Sequence, residues 1–150
     1  MAAAESVSVP GTTAGVGRAA AAFDEFCRHR QVPADARWRF QVVLDEILSN
    51  IVRHGLQGCD GTIALTFAHH ARTITVRVVD RAPAFDPRQA PAADTTSPLE
   101  ARRPGGLGVR FAESLLDGFS YERRGDENHV QLTWQVPESG GAVETTDGDR

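Results

Sequence analysis

Apolar and polar residues alternate at helical spacing through residues 14–31, AGVGRAAAAFDEFCRHRQ, and that period predicts a first helix. Pro33 and Asp35 open a second, whose apolar residues Phe40, Leu44, Ile47, Leu48 and Ile51 share one arc. Gly55 stands where a left-handed residue usually ends such a helix. The period then changes from helical to twofold. TIALTFA and TITVRVVD, joined by the polar turn from His69 to Arg72, read as a pair of strands, and FSYERR and NHVQLTWQV as another, with Val130, Leu132, Trp134 and Val136 alternating. ESVSVP at residues 5–10 reads as an opening strand.

Between these pairs, residues 81–106 carry five of the eight prolines and no period. A structureless stretch longer than about 12–15 residues in a compact domain points to a lid, a binding loop or an insertion. A third helix is expected from Leu107, with Phe111 and Leu115 on one face and Gly118 at its end. This order predicts an α/β (α+β) two-layer sandwich, a mixed, mostly antiparallel sheet covered on one face by three helices. Residues 1–9 form an N-terminal strand or flexible start, 10–137 the domain, and 138–150 a solvated tail.

Composition narrows the chemistry. With 150 residues, 41% of them hydrophobic, the chain suffices for one domain with a core. A net charge of -4 and a pI near 5.7 argue against direct nucleic-acid binding, which calls for a basic stripe. All 16 basic residues are Arg, which excludes P-loop and lysine-nucleophile mechanisms and leaves phosphate to Arg, metal or backbone. Cys27 and Cys59 form no C-x-x-C and read as unpaired thiols. No run of about 18 apolar residues or secretory leader occurs, so no membrane role and a cytoplasmic location are expected.

Three places carry candidate chemistry. In LDEILSNIVRHG, Glu46 and Asn50 stand one turn apart beside the apolar arc. They belong either to a solvated face with Arg39 and Arg53, or to a site pairing a proton-accepting carboxylate with an amide oxygen able to ligate a hard cation. Asp80 shares the parity of Ile74, Val76 and Val78, which puts a carboxylate on the buried face at a strand's end. Burying it unpaired costs several kcal/mol in order of magnitude, so either the fold or a ligand must supply a donor. In RRPGGLGVRF, Gly105, Gly106 and Gly108 open a helix, where glycines let backbone N–H groups approach an anion or act as a hinge.

Together these segments resemble the anti-sigma-factor serine/threonine-protein kinases, within the histidine-kinase-like (GHKL, Bergerat-fold) ATPases that include gyrase and the ninety-kilodalton heat-shock chaperone. The resemblance covers about residues 10–136. DEILSNIVRHG resembles the N-box, DRAPAFDP the first glycine box, D-x-G-x-x-F-D, and GGLG the second. It implies that Glu46 is the general base toward a substrate hydroxyl, that Asn50 ligates Mg²⁺ on the ATP phosphates, and that Asp80 accepts from the adenine amino group. Ala82 and Phe85 of the first box, and Gly105, Gly106, Leu107 and Gly108 of the second, would line the nucleotide. Residues 87–104 would be the ATP lid, and Arg53 a further phosphate contact.

The implied partners are an anti-anti-sigma (STAS-type) antagonist protein, phosphorylated on Ser or Thr, and a sigma factor; a homodimer is also usual among such proteins. A histidine kinase or a gyrase relative would need further domains. Two departures stand out. Ala82 replaces the first box's glycine, at a cost of about 1 kcal/mol if that position needs a positive φ. The threonine that relatives place after the sheet's penultimate turn has no counterpart in DENHV. Both favour the alternative of a nucleotide-gated binding module with little kinase activity.

Overall fold

A computed structural model describes residues 3–55, 61–87, 112 and 114–138. In it β1 (Ala3–Pro10) leads into α1 (Thr13–His29) and α2 (Ala34–Asn50), then β2 (Thr62–His70), β3 (Thr73–Asp80), β4 (Gly118–Arg124) and β5 (Glu127–Gln135). The strands lie in the order β1-β2-β3-β5-β4, and every pairing is antiparallel. The expected mixed sheet is thus purely antiparallel. Two-residue turns join β2 to β3 and β4 to β5, and antiparallel pairing is what such turns permit; the β1–β2 and β3–β5 pairings are made by segments far apart in the chain.

Local chemistry explains the joints. Thr12 caps α1, its hydroxyl accepting from Gly15 N at 3.1 Å. His70 faces Thr73 across a two-residue turn in which Ala71 takes φ 55°, and Gly125 takes φ 60° between β4 and β5. Gly118, expected to close a helix, instead opens β4 opposite Thr133. Of the expected third helix, Ala112, Ser114 and Leu115 are helical, with Leu116 N donating to Ala112 O at 2.9 Å. Residues 107–111, the glycines 105, 106 and 108, Cys59 and the tail from 139 lie outside the described residues.

One face of the sheet is apolar, as the twofold pattern requires. Ile63, Leu65 and Phe67 of β2, Ile74, Val76 and Val78 of β3, and Val130 and Leu132 of β5 are all buried there. Cross-strand register stacks them: Leu65 faces Val78, which faces Val130, and Phe67 faces Val76, which faces Leu132. The helices close this face with Phe23, Phe26, Phe40, Val43, Ile47 and Leu48. Phe23 is the centre of the seam, its ring 5.7 Å from Phe40 and 5.3 Å from Phe67. Each such side chain contributes about 1.5–3 kcal/mol when fully buried. The opposite face is polar, with Arg77 bonded across to Gln131 at 2.5 Å.

The second helix does not run to Gly55 as a uniform α-helix. It is α-helical to Asn50 and widens into a π turn, Ile51–Gly55. Such wide turns cluster at functional sites because they re-aim one side chain relative to the helix face.

Candidate functional site

The end of α2 and the end of β3 meet at a cavity of about 200 Å³. Asn50 and Ile51 wall it from the helix, Asp80, Ala82 and Phe85 from β3 and the loop beyond, and Asn128 with Val130 from β5. Apolar side chains give most of the lining, and three buried polar ones, Asn50, Asp80 and Asn128, come from segments far apart in sequence. A largely apolar slot with a few polar groups suits a flat heterocycle.

Asn50 is 9% exposed and engaged at both ends of its amide. Its Nδ2 donates to Glu46 Oε2 at 3.3 Å, and its Oδ1 accepts from Arg53 at 2.9 Å. Glu46 and Arg53 are half-buried and reach the cavity through Asn50. Arg53 also carries a buried Nε that has no hydrogen-bond partner among the described residues. The solvated-face alternative fails for a second reason. Arg39, which it required on that face, stacks over the Trp134 ring at 4.1 Å and donates to Leu115 O at 2.7 Å.

Asp80 is 4% exposed, as its strand parity predicted. Among the described residues the donor it needed is inside the fold, but for one oxygen only. Ala82 N and Asn128 Nδ2 donate to Oδ1 at 2.9 and 3.0 Å. Among the described residues Oδ2 takes no hydrogen bond, so an acceptor remains at the cavity wall. Ala82 N reaches the carboxylate of the residue two before it in a tight Asx-type turn. The only non-glycine residues with positive φ among those described are Gln31 and Ala71, so the alanine standing in place of the box's glycine adopts an ordinary backbone conformation. The strain expected of Ala82 is absent. Phe85, 45% exposed, borders the cavity, and its N–H points at Tyr121 Oη, 3.2 Å away.

Asn128 was missed in the sequence. It is 3% exposed and directly faces Asp80 across the β3–β5 pairing. The signal was there, since Asn128 shares the parity of Val130 and Leu132, the same rule that singled out Asp80. It occupies the DENHV stretch that lacks the relatives' threonine. Tyr121 and Arg123 of β4 join it, donating to Asn128 Oδ1 at 2.5 and 3.2 Å.

The chain matches the histidine kinase-like ATPase domain over residues 9–134. It belongs to that family. The serine/threonine-protein kinase BtrW of Bordetella bronchiseptica is 37% identical to it over 108 residues, 69% of this chain and 76% of the relative. The RsbU and RsbW domains of Rv1364c from Mycobacterium tuberculosis superpose with a TM-score of 0.60 at 14% identity, over 89% of this chain. That match spans 32% of the mycobacterial chain and bears on the fold alone. The resemblance drawn from the three boxes is therefore borne out at the level of the family, and the family's domain implies ATP binding.

The residues fit such a ligand. A largely apolar slot whose carboxylate oxygen is open among the described residues suits an adenine amino group, and Arg53 Nε, unpartnered among them, suits a phosphate oxygen. Among the described residues no three His, Cys, Asp or Glu side chains gather as a metal site. A divalent cation would accordingly rest on Asn50 Oδ1 and on the nucleotide's own phosphates, the usual manner of Mg²⁺. None of the helices in the described residues is long and apolar enough to cross a membrane.

Proposed function

We propose that the chain is an ATP-dependent protein serine/threonine kinase of the anti-sigma type. It would transfer phosphate to a Ser or Thr of a STAS-type antagonist protein and sequester a sigma factor in the unmodified cycle. The observation that carries this reading is the hydrogen bond between Asn50 and Glu46 at the mouth of a cavity whose far wall is Asp80. A general base and a cation ligand one helical turn apart are what in-line transfer to a hydroxyl requires, since such transfer rests on positioning and charge neutralisation.

In this reading Asp80 Oδ2 accepts from the adenine amino group while Ile51, Phe85 and Val130 flank the ring. Mg²⁺, when bound, supplies charge neutralisation at the phosphates. Asn50 holds its amide oxygen toward it, and Arg53 turns its unpaired Nε toward phosphate. Glu46 takes the proton of the attacking hydroxyl. Gly105, Gly106, Leu107 and Gly108 would fold their backbone around the phosphates, under a lid at 87–104. The absence of strain at Ala82 removes the main argument for a module without catalysis. The similarity to a named serine/threonine-protein kinase supports transfer to protein. A cytoplasmic homodimer that makes no direct contact with nucleic acid or membrane completes the proposal.

The test is transfer itself. Wild-type protein incubated with γ-labelled ATP, Mg²⁺ and a candidate antagonist is expected to label the antagonist on Ser or Thr, and Glu46→Ala to lose the label while still binding ATP. Transfer by Glu46→Ala at the wild-type rate would overturn the assignment of the base.

A further inference from the structure

At the cavity wall, six polar atoms of described residues converge on the side chain of Asn128. Its Nδ2 lies 3.0 Å from Asp80 Oδ1, 3.1 Å from Ala82 O and 3.2 Å from Pro83 O. Its Oδ1 lies 2.5 Å from Tyr121 Oη, 3.2 Å from Arg123 and 3.4 Å from Phe85 N. Three acceptors surround one end and three donor-bearing atoms the other. The amide therefore has a single orientation, because a flip would set its oxygen against three oxygens.

This geometry has a consequence for ligand choice. A carboxylate at a strand's end can rotate about its terminal torsion, which is broad and roughly twofold. Here Asn128 and Ala82 N both take Oδ1, which fixes the carboxylate plane and leaves Oδ2 as the acceptor toward the cavity. Tyr121 Oη donates to Asn128 Oδ1 and accepts from Phe85 N, so a chain of bonds runs from the loop through Tyr121 and Asn128 to Asp80. Such chains polarise one another and stiffen what they connect.

We infer that Asn128 and Tyr121 are positioning residues that set base selectivity. By holding Asp80 Oδ2 still, they make the pocket accept a purine bearing an amino group at its six-position and reject one bearing an oxygen there. A fixed acceptor meets a donor in the first case and another acceptor in the second, leaving a buried polar group unpaired. The inference rests on the proposed adenine-nucleotide site; Tyr121 does not line the cavity, Asn128 lines it with its amide committed to groups of the fold, and neither belongs to a box that resembles the family's.

The experiment measures binding of ATP, of inosine triphosphate and of inorganic tripolyphosphate to the full chain by calorimetry, with thermal unfolding recorded alongside. Wild type is expected to prefer ATP to inosine triphosphate by at least tenfold. Tyr121→Phe, which keeps the ring in place, is expected to lower that ratio about fivefold, the worth of one hydrogen bond. Asn128→Ala should lower it further, with tripolyphosphate affinity unchanged in both. Equal losses toward all three ligands, or an unchanged ratio in both variants, would overturn the inference while leaving the nucleotide site standing. A wild type that binds ATP no better than inosine triphosphate would overturn both.

Discussion

Asn50 donates its side-chain amide to Glu46 Oε2 at 3.3 Å, across one turn of α2. The proposed cation ligand thus orients the proposed base. Asn50→Ala would remove the oxygen offered to the metal and the donor that holds Glu46 at once. Transfer is expected to fall about a hundredfold or more, the scale of losing one preorganised electrostatic group. Calorimetry with and without Mg²⁺ checks the division: the Mg²⁺-dependent part of ATP affinity should vanish and the Mg²⁺-free part persist.

Asp80→Asn tests the other wall. The amide oxygen should stay where Ala82 N and Asn128 Nδ2 donate, which turns the NH₂ toward the cavity and sets a donor against the adenine amino group. A hydrogen bond to a charged group is worth about 1.5–3 kcal/mol, so ATP affinity should fall roughly ten- to a hundredfold. GTP, which presents an oxygen at that position, should lose nothing. Equal losses for the two nucleotides, or none for ATP, would remove Asp80 from base recognition.

The same two residues mark what the sequence made legible. Twofold parity located Asp80 on the buried face, and applied to NHVQLTW it would also have located Asn128, whose partner Asp80 lies 48 residues away in the chain. Helical spacing put Glu46 and Asn50 together but could not foresee the π turn at Ile51–Gly55, because a period of 3.6 carries no mark of where a helix widens. Arg39 went to Trp134 and Leu115 O, long-range partners that helix spacing does not see. Ala82 against the box's glycine suggested strain, yet its backbone is ordinary, since the Asx-type turn from Asp80 satisfies its N–H without a left-handed residue.

Cys27 offers a prediction in pH. The thiol is buried between the helices and the sheet, and desolvation pushes its pKa from 9.0 up to about 12. In a Cys59→Ser variant, which leaves Cys27 the only thiol, alkylation at pH 8 should be slower than in urea, because the folded protein holds roughly a thousandfold less thiolate than a group at 9.0. The sign for stability follows from linkage. The raised value leaves stability intact below the unfolded thiol's range and erodes it as pH climbs toward the folded value, where only the unfolded chain has lost its proton. Urea melts between pH 8 and 11 in the same variant, compared with Cys27→Ala in that background, check this: the difference in midpoint between the two should change with pH only above about 9.

Two glycines two residues apart in α1, on different faces of the helix, should respond to the same substitution with opposite signs. A methyl group at Gly15 would meet the carbonyl oxygen of Pro10, backbone that the turn into α1 holds in place through Thr12 N at 2.8 Å. Nothing flexible can yield there, so Gly15→Ala is expected to cost about 1–3 kcal/mol, as overpacking does. At Gly17 a methyl group would meet nothing within 4 Å, and the position is exposed. Gly17→Ala therefore gains the helix propensity that glycine lacks, up to about 1 kcal/mol. Thermal or urea unfolding of the two variants reads both at once, and a destabilised Gly17→Ala would show that this face of α1 is not open in the folded protein.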